Sequence, residues 1–116
     1  MSKLPFMKFF PGDWLSEPGL RTCSFEARGV WIDMISLMWR SIPRGRLKGT
    51  YRELAMMLGT TEKILVKNVN ELASNKVLSF RLSGDVRTLI NRRMNREEKL
   101  RNNKNLRNQK YYGNKN

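Results

Sequence analysis

Apolar residues along this 116-residue chain fall first into helical stripes and then into an alternating run. Ser24 to Arg40, SFEARGVWIDMISLMWR, is the most apolar stretch. Ala27, Trp31, Met34, Ile35 and Met38 recur at helical spacing, and Phe25, Val30, Ile32, Leu37 and Trp39 widen the arc past half the circumference. A helix so coated is expected to be buried on several sides. Ser24 suits its cap and Glu26 its positive end. In a small domain this is the central core helix, with Ile32 and Trp39 as the residues that would serve a dimer contact instead.

From Thr50 to Ser74 the pattern predicts two short helices around a glycine turn. Thr50 and Glu53 form a capping-box pair, and Leu54, Ala55 and Leu58 give the first apolar stripe. Gly59 stands where only glycine reverses the chain without steric cost. Thr60 or Thr61 caps the second helix. Leu65, Val69, Leu72 and Ala73 then fall on one face, and Lys63, Lys67, Asn70 and Ser74 on the other.

Period two takes over in Lys76 to Asn91, KVLSFRLSGDVRTLIN, and predicts a β-hairpin. A three-residue loop over Ser83 to Asp85, pairing Leu82 with Val86, keeps Leu78, Phe80 and Leu82 on one face with Val86, Thr88 and Ile90. In that register Arg81 and Arg87 project together from the opposite face. Leu47, in the basic stretch Ile42 to Gly49, is expected in a short strand beside the hairpin. At the start of the chain, Pro5, Pro11 and Pro18 exclude a continuous helix. An extended segment around Met7 to Phe10 and a turn at Pro11 to Asp13 are expected there, with Trp14 and Leu15 covering the core.

Charge changes the picture next. Lys and Arg number 23 against 10 Asp and Glu, a formal net charge of +13. Residues 1–90 hold 14 basic and 8 acidic side chains, whereas residues 91–116 hold 9 and 2. More than half the excess sits in the last quarter, which also has eight asparagines and few groups able to offset conformational entropy. The expected organisation is one domain over residues 1–91 and a basic tail over 92–116, a frayed helix passing into disorder. Phosphate neutralisation by such a tail releases counterions and adds non-specific affinity. Tyr111 and Tyr112 would stack on unpaired bases. A protein partner or a merely solubilising end are the alternatives.

The absent chemistry narrows the field further. The chain has no histidine and one cysteine, so the commonest general base and zinc ligand are missing and no internal disulfide can form. No phosphate-binding glycine loop or carboxylate cluster for two metals appears. Neither catalysis, a cofactor nor a metal is expected, and the interrupted N-terminal apolar stretch is unsuited to a signal peptide or membrane span.

The order of these elements, an apolar helix, a short strand, a helix-turn-helix and a hairpin, gives an α+β, mostly α fold: a winged helix-turn-helix with a three-helix core, a β-hairpin wing and a basic tail. Helices of this kind lie in a major groove, where lysine reaches phosphates or guanine and asparagine pairs with adenine. The expected DNA contacts are Thr60, Thr61, Lys63, Lys67, Asn70 and Ser74 from the helix-turn-helix. Arg81 and Arg87 join them from the wing, and Arg92, Arg93 and Arg96 from the start of the tail. A solvated polar face is the plainer alternative for each.

FFPGDWLSEPGLRTCSFEARGVWIDMISLMW, GRLKGTYRELAMMLGTT and INRRMNREEK together resemble a family of small phage and prophage proteins of unassigned biochemical function. The resemblance spans about residues 7–100, with PGDWL and ARGVWIDM its most specific strings. Members resemble the winged-helix N-terminal domains of phage replisome organisers and replication initiators. The resemblance implies a winged helix that binds double-stranded DNA in phage replication or its control, in the cytoplasm of a bacterial host. It also implies a phage or host replication protein as a second kind of partner, and supplies no catalytic residue. The alternatives are a protein-interaction module that uses its surface and basic tail, and a transcriptional regulator. Oligomeric state is open, since no heptad repeat is present.

Overall fold

A computed structural model describes residues 6–113, with side chains through residue 106. The chain is α+β and mostly helical, with one three-stranded antiparallel sheet. Pro11 and Pro18 each open a short helix, α1 (Pro11–Ser16) and α2 (Pro18–Arg21). The expected turn at Pro11 to Asp13 is thus the first turn of a helix. Proline suits that position because its φ is already helical and its missing N–H would have no partner there. Met7 to Phe10 lie outside any helix or strand, and Phe10 is extended at φ −111° and ψ 101°. Trp14 packs against the core, but Leu15 is 59% exposed and does not cover it.

The central helix α3 (Phe25–Arg40) is capped by Ser24, whose Oγ accepts from the Ala27 amide. Ala27, Trp31, Met34 and Met38 are buried, while Val30, Ile35, Leu37 and Trp39 pack at the margin of the core. Strand β1 (Arg46–Gly49) leads into α4 (Tyr51–Leu58), which opens on a complete capping box. The Glu53 amide donates to Thr50 Oγ1 at 3.2 Å and the Thr50 amide donates to Glu53 Oε1 at 2.8 Å. Gly59 ends α4 at φ 72°, a left-handed conformation that costs a side-chain-bearing residue about 1 kcal/mol or more. Thr61 then caps α5 (Glu62–Ser74) by accepting from the Ile64 amide. Leu54, Ala55, Leu65, Val69 and Leu72 are buried from these two helices, which pack on each other while α5 also packs on α3.

Strands β2 (Ser79–Ser83) and β3 (Val86–Ile90) form the hairpin, and β3 lies centrally in the order β1-β3-β2. Its register corrects the expected one. Ser83 pairs with Val86 and Leu82 with Arg87 around a two-residue Gly84-Asp85 turn. Gly84 has φ 64°, which suits the first central position of a tight hairpin turn. The one-residue difference exchanges faces along β3. Leu89, rather than Ile90, stands between Leu47 and Phe80 on the core side. The burial of both Leu47 and Leu89 favours this register over one that gathers every branched residue on one face. Arg81 and Arg87 therefore point to opposite faces.

Helix α6 (Arg92–Gly113) is tied to the body at its base. Met94 is buried in the core, the Asn91 amide donates to the Gly45 carbonyl at 2.8 Å, and Arg46 Nε donates to Asn95 Oδ1 at 2.9 Å. Packing requires glycine at position 45: φ is 93° and an added Cβ would lie 2.6 Å from the Asn95 nitrogen. Residues 114–116 lie outside the described residues, and Tyr111 and Tyr112 outside the described side chains. Among the described residues, no helix is long and apolar enough to cross a membrane.

Candidate nucleic-acid interface

The face of α5 opposite the core begins at its cap. The Thr61 hydroxyl is occupied by the Ile64 amide, and the Thr60 amide closes α4 by donating to the Ala55 carbonyl at 2.9 Å. Both threonines thus shape the turn. Lys63, Asn70 and Ser74 are exposed beyond them, and Lys63 has no ion pair among the described residues.

Lys67 is exposed too, but its Nζ lies 3.3 Å from Glu26 Oε1 on α3. The same oxygen accepts from Asn68 Nδ2 at 2.9 Å. The Asn68 amide, and Lys67 after it, hold the Glu26 carboxyl below its ordinary value. Glu71 faces inward at the other end of the helix. Its carboxylate accepts from the Ser24 amide at 2.5 Å and from Ser24 Oγ at 3.0 Å. Glu71 therefore caps α3, which locks the ends of α3 and α5 together.

The hairpin presents its two arginines differently. Arg81 is exposed on the outer face of the sheet, in a cross-strand row with Thr88 and Lys48. Lys48 is likewise exposed, so the register brings two cations together across β3. Arg87 is half-buried, with its guanidinium 3.9 Å from the centre of the Tyr51 ring. Its Nη1 donates to the Asp85 carbonyl at 3.0 Å. That stack joins the hairpin to α4, and it withdraws Arg87 from the solvent face.

At the start of α6, Arg92 donates to the Lys76 carbonyl, and Arg93 bridges Asp13 at 3.7 Å and Glu97 at 3.3 Å. Arg96 is exposed and has no ion pair among the described residues. These three arginines stand at a cleft facing α1 and α3, and belong to a different surface from Lys63 and Asn70.

The polar positions of α5 follow from periodicity, except for Asn68, which is fully buried. Lys48 does not stand out in the sequence because its proximity to Arg81 depends on strand register; the only local sign is the basic stretch before Thr50. Arg44 is a second residue that sequence reasoning misses. It is 3% exposed and its guanidinium lies 3.9 Å over the Trp39 ring. Among the described residues, no group of histidine, cysteine and carboxylate side chains is placed to hold a metal ion. Compared with protein-family models, with curated proteins and with solved structures, the chain finds no match in any of the three.

Proposed function

We propose that the chain is a winged-helix protein that binds double-stranded DNA, with α5 in the major groove and the hairpin along the backbone. The observation that carries this reading is the clean division of α5. Leu65, Val69 and Leu72 are buried, while Lys63, Lys67, Asn70 and Ser74 are exposed along the other side. The order helix, strand, two helices and hairpin, with β3 between its neighbours, supports the same reading. In this assignment Lys63 and Asn70 read bases or phosphates, Lys67 does so on leaving Glu26, and Arg81 with Lys48 holds the backbone. The resemblance of PGDWL and ARGVWIDM to phage proteins points the activity towards phage DNA replication or its control.

Anisotropy of a labelled duplex across a salt series tests the assignment. Replacing Lys63 and Lys67 with alanine should weaken binding and reduce the salt slope by about two, near 0.9 for each phosphate no longer neutralised. Unchanged affinity and slope would remove α5 from the interface.

One observation favours a protein partner instead. Met56 is 74% exposed and Met57 48% on α4, with Ile64 at 38% at the start of α5. Exposed methionines suit an adaptable protein contact. A partner recovered from host lysate after nuclease treatment, and lost with Met56→Ser and Met57→Ser, would favour that reading.

A further inference from the structure

A cleft of about 920 Å³ opens between the segment before α1, helix α3 and the first turns of α6. Its size is at the upper end of the roughly 300–1,000 Å³ usual for ligand pockets, more than a lone phosphate needs. All three tryptophans of the chain, Trp14, Trp31 and Trp39, line it. So do seven cationic residues against three acidic ones.

Some of those cations are already engaged: Arg92 with the Lys76 carbonyl, Arg93 with Asp13 and Glu97, and Arg101 with Glu98. Arg44 and Arg96 are not in ion pairs among the described residues. Arg44 is the more telling of the two. It lines the cleft, is 3% exposed, and its Nη1 has no hydrogen-bond partner among the described residues. A buried guanidinium nitrogen without an acceptor is costly, and an anion entering the cleft would remove that cost. The same guanidinium lies 3.9 Å over the half-buried Trp39 ring, which places a cation beside an aromatic side chain at the wall of the cleft.

The cations on α6 run along the helix from Arg92 to Arg101, about 13 Å at 1.5 Å per residue. That span exceeds a single phosphate, and Arg96, outside any ion pair among the described residues, stands within it beside the engaged Arg92, Arg93 and Arg101. We infer that this cleft binds single-stranded nucleic acid, its bases against the partly exposed Trp14 and Trp39 and its phosphates on Arg44, Arg96 and their neighbours. The site is separate from the α5 surface and does not depend on duplex binding there.

Because every tryptophan lines the cleft, intrinsic fluorescence of the full chain reads it directly. An oligothymidylate of about a dozen nucleotides, within the range of known single-strand sites, should quench the emission. Arg96→Gln, at an exposed position, should weaken this binding about tenfold, the order of one charge-assisted hydrogen bond. Arg44→Lys, which keeps the charge but loses the planar fork, should also weaken it. The Lys63→Ala, Lys67→Ala double variant should leave quenching unchanged while reducing duplex anisotropy, so the two surfaces fail or succeed separately. Absence of quenching would overturn the inference, as would equal affinity for thymidine monophosphate, equal affinity for polyglutamate, or insensitivity to both arginine variants.

Discussion

Asn68 of α5 and Glu26 of α3, 42 residues apart, are joined by a hydrogen bond of 2.9 Å from the asparagine amide to the carboxylate. Asn68 is fully buried and its Nδ2 also donates to the Ile64 carbonyl at 2.8 Å. One carboxylate oxygen thus fixes a buried polar group and also holds Lys67 on the proposed DNA-binding face.

Glu26→Gln separates those two roles. The glutamine carbonyl still accepts from Asn68, so the melting temperature should change little. Lys67 is released and a negative charge is lost beside it, so duplex affinity should rise severalfold at low salt, the gain shrinking as salt is added. Anisotropy titrations at two salt concentrations check this. Asn68→Leu should instead lower the melting temperature, because it removes the bond to Glu26 that joins α5 to α3 and crowds a site shaped for an amide.

Acid should weaken the fold through the same carboxylate and through Glu53. Glu26 is held below its ordinary value of 4.5 mainly by the Asn68 amide, and Glu53 by the Thr50 backbone amide and then its hydroxyl. Each group binds fewer protons folded than unfolded, so its contribution is complete above about pH 4.5 and disappears as pH falls through the lowered folded value. Both are exposed, so the decline should be shallow. Thermal melts followed by circular dichroism below neutral pH would show it, with a smaller decline in Glu53→Gln.

Two glycines with open space around them should respond in opposite directions to alanine. Neither Gly29 nor Gly59 has an atom within 4 Å of an added Cβ. Gly29 lies inside α3 with ordinary helical φ, so Gly29→Ala should stabilise by about 0.5–1 kcal/mol. Gly59 has φ 72°, so Gly59→Ala should destabilise by about 1 kcal/mol. Urea denaturation midpoints compare the two.

The local features of the fold are legible in the chain itself. The Thr50–Glu53 box, the Gly59 stop and the stripes of α3 and α5 each depend on residues within a turn or two of one another. The features that are not legible depend on contacts across the fold. Nothing near Asn68 announces that its partner is Glu26. The hairpin register turns on a choice between two-residue and three-residue loops that Leu47, from another strand, decides by pairing with Leu89. Pro11 reads as a turn signal, although proline is equally at home in the first position of a helix. The cleft arises from separated segments, so its tryptophans read in sequence as core or, for Trp39, as a dimer contact, and not as the lining of one site.

The hairpin arginines should separate by assay. Arg81→Ala should weaken duplex binding and lower the salt slope by about one, with stability unchanged. Arg87→Ala removes the stack on Tyr51 and should cost about 0.5–2 kcal/mol of stability. Its effect on the salt slope should be the smaller of the two.

Truncation tests how far the folded unit extends. Ending the chain after Asn91 removes buried Met94 and the Arg46–Asn95 bond, and should lower the melting temperature markedly. Ending it after Arg101 keeps both and should leave stability nearly intact, while reducing non-specific affinity for nucleic acid in proportion to the phosphates no longer neutralised.

The joint at Gly45 gives α6 a mechanical character. A helix of 22 residues is about 33 Å long, and the backbone of its first turn rests directly on a glycine that admits no side chain. The direction in which the arm leaves the body is therefore set by the Gly45–Asn95 backbone contact, at the edge of the cleft that its first turns line.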